Sequence, residues 1–157
     1  MSNPVVPNFG ELLAPYIGKV PEAAVPNFLA LLERGAAQRY REWAEQLPEH
    51  REGLLACADR EDEIADTADR LFPLAEEYRA ETEAPLPEAK ALYYSVFADM
   101  VVTDQLAIQA DAELQGAAAW RNMISADSSE ELRAGLEHCS QLEELSSAYL
   151  RGILAAD

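Results

Sequence analysis

Four long segments of the chain repeat apolar residues at the spacing of an α-helix, and a glutamate interrupts each apolar stripe near its middle. In the second segment, Leu54, Ala58, Ala65 and Ala68 share one helical face with Glu61. An ionised glutamate on a buried face is costly unless a partner charge, a proton or a cation compensates it. The pattern therefore predicts a bundle of amphipathic helices and marks the interrupted faces as candidate sites.

Prolines divide the chain into the segments that form these predicted helices. The long helices are predicted over Pro26–Leu47, Glu49–Leu71, Pro87–Ile124 and Ser128–Leu154, and shorter ones over Asn8–Ile17 and Leu74–Glu83. Ser128 and Glu131 have the spacing of a capping box at the start of the fourth long helix. Short links join the first two and the last two long helices, which predicts two antiparallel hairpins with a crossover link between them.

Composition supports an all-α fold in one bundle domain, residues 26–157, preceded by a proline-rich N-terminal arm, residues 1–25. β-branched residues are scattered without period-two runs, and 157 residues suit one domain. With 12 basic and 29 acidic residues, the net charge of −17 disfavours nucleic acid and anionic membranes as partners. We see no signal-peptide pattern, no apolar run of membrane-spanning length and only two cysteines, so we expect a cytoplasmic protein.

The four interrupting glutamates repeat with nearly equal separations inside the two predicted hairpins. They are Glu33 and Glu61 in the first hairpin and Glu113 and Glu143 in the second. Seven residues after the first glutamate of each pair stands an aromatic residue, Tyr40 or Trp120. Four residues before the second glutamate stands a cysteine, Cys57 or Cys139, which we interpret as a small buried apolar residue. The two halves therefore resemble copies of one helical hairpin.

The first hairpin also resembles a known family. Its residues are Glu33-x6-Tyr40-x2-Trp43-Ala44, then Ala58-Asp59-Arg60-Glu61-Asp62-Glu63-Ile64-Ala65 and Arg70-Leu71-Phe72. This pattern is similar to the first hairpin of rubrerythrins and related ferritin-like proteins. The resemblance implies a ferritin-like four-helix bundle with a di-iron or di-manganese centre. In that family one glutamate from each helix of one pair and a Glu-x-x-His motif from each of the others bind the metals. The resemblance thus implies Glu33, Glu61, Glu113 and Glu143 as metal ligands.

The chain departs from this family where the motif requires histidine. The third residue after Glu61 is Ile64, and the third after Glu143 is Ser146. The chain's two histidines, His50 and His138, stand elsewhere in the sequence. We therefore expect a degenerate, carboxylate-only central site in which metal binding is weak or lost.

Three states are open to four carboxylates that meet in such a site. They could bind one or two hard cations, they could share protons, or they could pair with arginines. The arginines near enough in sequence are Arg39, Arg60, Arg121 and Arg133. On the third long helix, Asp104 or Asp111 is an alternative to Glu113, although Glu113 fits the apolar stripe better.

The sequence leaves the function open between different classes. If the protein is an enzyme, the resemblance implies a metal-dependent oxidoreductase that uses iron or manganese. A second hypothesis is a non-enzymatic helical interaction module, such as a homodimer, whose internal glutamates pair with arginines. A third is a small-molecule pocket between helices, lined by Tyr40, Trp43 and Trp120.

Overall fold

Residues 4–156, which the computed structural model describes, form seven α-helices and no strand. The helices are α1 (Phe9–Ile17), α2 (Val25–Gln46), α3 (Arg51–Leu71), α4 (Arg79–Glu83), α5 (Leu86–Val96), α6 (Val102–Asn122) and α7 (Glu130–Ala156). Single 3-10 turns lie at Glu22–Ala24, Pro48–His50 and Glu76–Tyr78. The all-α prediction is confirmed, whereas the four-helix bundle stays a prediction.

Helices α2 and α3 form an antiparallel hairpin within the compact unit Leu13–Val96. Three pairs of side chains join the two helices from the turn to their far ends: Arg51 with Glu45, Arg34 with Asp62, and Asn27 with Asp69. Because partner numbers rise on α3 as they fall on α2, the helices run in opposite directions. The exposed ion pairs are each worth about 0–1 kcal/mol, so buried apolar packing contributes most of the hairpin's stability.

Two further features anchor the beginning of α2 in this unit. Phe28 lies in a buried cluster with Val20, Ala24 and Ala89, and partly buried side chains such as Leu13 pack against it. The Nδ2 group of the buried Asn27 donates to the Phe72 carbonyl (2.7 Å), which is one of the carbonyls left without a helical partner at the end of α3. The end of α3 is thereby tied to the start of α2.

Helices α6 and α7 form a second antiparallel hairpin in the other compact unit, which contains the described residues up to Leu12 and those from Phe97 onward. Ser140 Oγ donates to the Ala117 carbonyl (2.7 Å) and Ser147 Oγ donates to the Ala110 carbonyl (2.8 Å). The N-terminal segment joins this unit through Gln115, whose side chain binds the Pro7 carbonyl and the Phe9 amide. Helices α6 and α7 therefore run in opposite directions, as expected for the second hairpin, although α6 begins at Val102 and not at Pro87.

The prediction of one uninterrupted third long helix is wrong, because the chain leaves helical geometry between Val96 and Val102. Asp99 adopts a left-handed conformation with φ 61°, and Val101 is extended with ψ 152°. Aspartate tolerates this conformation better than most residues, and neighbouring β-branched side chains disfavour helix. No proline or glycine marks the break, which is why the helical spacing alone missed it.

The predicted capping box at the start of the fourth long helix is also displaced. Ser129 is the residue whose hydroxyl accepts from the Leu132 amide (3.1 Å), and α7 begins immediately after it. Ser128 Oγ instead accepts from the Ser125 amide (2.9 Å) in the preceding turn. Where two serines are adjacent, the spacing to a later glutamate does not show which of them caps the helix.

Helices α1, α2, α3 and α7 each begin and end within two residues of their predicted boundaries. The short helix predicted over Leu74–Glu83 begins only at Arg79, after the 3-10 turn Glu76–Tyr78. The division into an arm, residues 1–25, and a bundle domain, residues 26–157, stays a prediction and includes residues 1–3 and 157, which lie outside the described part. Within residues 4–156, no helix has both the length and the apolar content needed to cross a membrane.

Candidate carboxylate site

The first hairpin brings two of the four predicted glutamates together. Glu61 lies in the middle of α3 with none of its surface exposed, and a partly exposed Glu33 faces it from α2. A carboxylate oxygen of Glu33 lies within 4.8 Å of one of Glu61. Oxygens bound to one calcium- or magnesium-sized cation lie about 3–5 Å apart, since each metal–oxygen bond is about 2.0–2.6 Å long. The pair is therefore spaced as two ligands of one cation would be.

No nitrogen ligand stands one turn after Glu61, where the family motif has histidine. Ile64, one turn later on α3, is fully buried, and its alkyl side chain cannot bind a metal. Asp62 points away from this face, since it pairs with Arg34 and Arg41 at the surface. The first hairpin thus offers carboxylate oxygens, and such donors suit magnesium, calcium and manganese better than zinc or copper.

In the second hairpin Glu143 is buried, with 2% of its surface exposed, and it is held in a defined position. Trp120 donates its indole N–H to Glu143 Oε1 (Nε1–Oε1 distance 3.3 Å). Gly116 lies directly against the carboxylate, where a β-carbon would stand 2.5 Å from Oε1. Ser146, at the second expected histidine position, is fully buried.

Glu113 is buried to the same extent as Glu143, and Gln109, one turn earlier on α6, donates its side-chain amide to Glu113 Oε1 (2.9 Å). Of the two alternatives on this helix, Asp111 is partly exposed and pairs with Arg151. Asp104 is partly exposed near the start of α6. The burial of Glu113 agrees with its place on the apolar stripe, and its assignment as a ligand stays a prediction.

Each of the four arginines predicted as partners contacts a group other than the four glutamates, and two of them, Arg121 and Arg133, lie in the second hairpin. Arg121 holds Glu137 through two guanidinium nitrogens and also contacts Glu144, and these hydrogen bonds lower the pKa of Glu137 below its ordinary value. Arg133 donates to the Ser125 carbonyl (3.0 Å). Both arginines therefore serve the surface and the turn before α7.

A second cluster in the first hairpin's unit was not predicted. Arg39 lies over the rings of Trp43 (4.9 Å) and Tyr94 (5.3 Å), and its guanidinium donates to Glu42 (3.0 Å). Trp43 meets Tyr40 edge to face at 5.4 Å, and Tyr94 donates its hydroxyl to Glu42 (2.9 Å). Only the spacing of Arg39 and Glu42 could have signalled this cluster, because Tyr94 comes from a separate helix.

The phenol of Tyr94 provides a pH-dependent signal of this cluster. Burial and the hydrogen bond to Glu42 raise the pKa of Tyr94 to about 12 from the ordinary 10.0. Because the folded state holds this proton more tightly, the resulting stabilisation is complete below pH 10.0 and disappears as the pH rises towards about 12. A pH titration of tyrosinate absorbance measures this. The difference between the original protein and Tyr94→Phe should show the ionisation of Tyr94 above the ordinary pH range of tyrosine. In Glu42→Gln it should occur at lower pH, and an unchanged midpoint would contradict the role of Glu42.

The remaining predicted residues are buried. Tyr40 and Trp43 have no exposed surface and Trp120 has 1%. Cys57 and Cys139 are buried, as expected, and no disulfide joins them. Arg60 donates to Cys57 Sγ at 3.2 Å. A ligand-binding role for the three aromatic residues stays a prediction.

Comparison with known proteins finds no family model that matches the chain, and no curated protein or solved structure matches it either. The likeness to rubrerythrins therefore depends on the chain's own residues. The same residues carry any assignment of function.

Proposed function

We propose that the chain is a ferritin-like protein with a carboxylate-only site that binds a hard divalent cation, Mn²⁺ or Fe²⁺, weakly. The observation that most supports this is the approach of Glu33 and the fully buried Glu61 to within 4.8 Å on neighbouring helices. Two carboxylates this close repel each other when both are ionised, and a divalent cation between them converts the repulsion into attraction. In the proposal, Glu113 and Glu143 supply further oxygen ligands.

Weak binding follows from the donor set. Histidine ligands bind Fe²⁺ and Mn²⁺ well when neighbouring groups hydrogen-bond to the ring and fix its orientation. At the two positions where the family motif has histidine, this chain has Ile64 and Ser146. A bound iron or manganese ion would supply one-electron redox chemistry. The chain's own part would be to bind the ion through carboxylates and to keep water away from it with buried apolar residues such as Ala58 and Ala65.

The proposal predicts a thermal shift on cation binding that depends on Glu61. Because a ligand that binds only the native state stabilises it, Mn²⁺ at ten times its Kd should add about 1.4 kcal/mol. For a protein of this size that corresponds to roughly 3–6 °C in Tm. Glu61→Gln keeps the side-chain volume and removes the charge, so the shift should be lost. Calorimetry of Mn²⁺ or anaerobic Fe²⁺ binding measures the same difference directly.

Glu52→Gln is the matched control, because Glu52 is an exposed carboxylate on the same helix. It should retain the full shift. The proposal fails if neither cation raises Tm, or if Glu61→Gln and Glu52→Gln respond alike. Without cation, we expect Glu61→Gln to be at least as stable as the original protein, since it removes a buried charge.

The second candidate is a non-enzymatic interaction module that associates through its own surface. The exposed Leu114 and Leu145, on α6 and α7, favour it, because 43% and 56% of their surfaces are accessible. Light scattering over a range of protein concentrations distinguishes this candidate, since only self-association makes the measured mass depend on concentration.

A further inference from the structure

Between α6 and α7, the Glu143 side chain lies directly against a glycine, Gly116. An ideal β-carbon at Gly116 would lie 2.5 Å from Glu143 Oε1, 2.9 Å from its Cδ and 3.1 Å from its Oε2. Real β-carbons essentially never approach another heavy atom closer than 3.0 Å. Any other residue at this position must therefore displace the carboxylate, which is the movable end of the Glu143 side chain.

The two helices are fixed to each other on both sides of this contact. Ser140 lies one turn before Glu143 and Ser147 one turn after it, and their hydroxyls donate to backbone carbonyls of α6 at 2.7 and 2.8 Å. Residues three and four apart on a helix share a face, so both serines and Glu143 face α6. The helices cannot separate to accommodate a side chain at Gly116 without breaking these hydrogen bonds.

The carboxylate also accepts a hydrogen bond from the next turn of α6. Trp120 follows Gly116 by four residues on α6, and its indole nitrogen lies 3.3 Å from the same Oε1 atom that a β-carbon at Gly116 would contact. The Glu143 carboxylate therefore occupies a recess on α6, which exists because Gly116 has no side chain and which is bordered by the indole N–H group of Trp120.

We infer that Gly116 is a positioning residue, which together with Trp120 orients the Glu143 carboxylate in advance as a ligand for a divalent cation. The ligand role rests on the proposed function, whereas the positioning of Glu143 does not. A carboxylate that is already oriented loses little conformational freedom when a cation binds. Substitutions in groups that orient metal ligands typically weaken metal affinity by about 10- to 100-fold. We expect a loss of this size in Gly116→Ala, with Mn²⁺ as the probe.

Gly152→Ala is the matched control for this substitution. Gly152 lies in α7 and is exposed, and beyond its chain neighbours and the backbone of its own helix, a β-carbon there would meet no heavy atom of the described chain within 4 Å. Alanine has a higher helix propensity than glycine, so Gly152→Ala should raise Tm. Gly116→Ala should lower Tm, because moving the buried carboxylate breaks its hydrogen bond to Trp120.

A double-mutant cycle with Glu143→Ala separates positioning from a general effect on the helix. Once the carboxylate is removed, Gly116→Ala should raise Tm, as Gly152→Ala does in either background. The indole N–H resonance of Trp120 should move in Gly116→Ala and stay in place in Gly152→Ala. Additive effects in the cycle, together with an unmoved indole resonance, overturn the positioning of Glu143 by Gly116.

Metal titration then tests the ligand role independently. If the protein binds Mn²⁺ and Gly116→Ala binds it equally well, the inferred ligand role of Glu143 is wrong even where the cycle is coupled. If the original protein binds neither Mn²⁺ nor Fe²⁺, the proposed function fails and the ligand role with it. In that case a coupled cycle still supports Gly116 as the residue that positions Glu143.

Discussion

Replacing Trp43 with alanine should lower the free energy of unfolding by about 3–5 kcal/mol, the usual cost of removing a fully buried tryptophan. No part of the Trp43 side chain is exposed, and its ring packs edge to face against Tyr40. The substitution also removes the ring beneath the Arg39 guanidinium, an interaction worth about 0.5–2 kcal/mol. Since natural domains are stable by about 5–15 kcal/mol, this loss should bring the protein close to unfolding at moderate temperature.

Urea denaturation followed by circular dichroism measures this loss, and two control variants make it interpretable. Trp43→Phe keeps an aromatic ring beneath Arg39 and should cost clearly less than alanine. Gln46→Ala changes an exposed residue at the end of the same helix and should stay within about 0.5 kcal/mol of the original protein. A loss below about 1 kcal/mol for Trp43→Ala would contradict the packing described for this ring.

The helices could be predicted from sequence because their signals are local. The apolar stripes of α2 and α3 recur at helical spacing, and Pro26 and Pro48 lie near the helix ends. The break before α6 could not be predicted in the same way. The break contains Asp99 in a left-handed conformation. A residue other than glycine holds this conformation only when the surrounding structure favours it, and the spacing of apolar residues carries no information about that.

The candidate site was predictable to a similar, limited extent. Spacing alone placed Glu61 and Glu113 on apolar faces, and both are buried. The recess at Gly116 was missed, because a glycine in a helix has several explanations until the opposite side chain is known. The Arg39 cluster was missed for the same reason, since its partner Tyr94 lies far away in sequence. The periodicity of a sequence does not predict which side chains from distant segments come into contact.

Replacing Trp120 with alanine should cost about 3–5 kcal/mol, and this loss should divide into two parts. One part is the removal of a large side chain that is 1% exposed. The other is the loss of the hydrogen bond that the indole N–H group donates to Glu143. Hydrogen bonds to a charged group contribute about 1.5–3 kcal/mol, and removing the donor leaves the buried carboxylate less well compensated.

Trp120→Phe isolates this second part, because phenylalanine retains much of the apolar volume and has no N–H group. Measured in the original protein and in Glu143→Gln, the cost of Trp120→Phe should differ by about 1 kcal/mol or more, since a neutral amide is a weaker acceptor than a carboxylate. Urea denaturation of the four proteins gives this coupling energy. Equal costs in the two backgrounds would mean that the indole packs beside Glu143 without stabilising its charge, and the recess at Gly116 would then be the main device that holds the carboxylate in place.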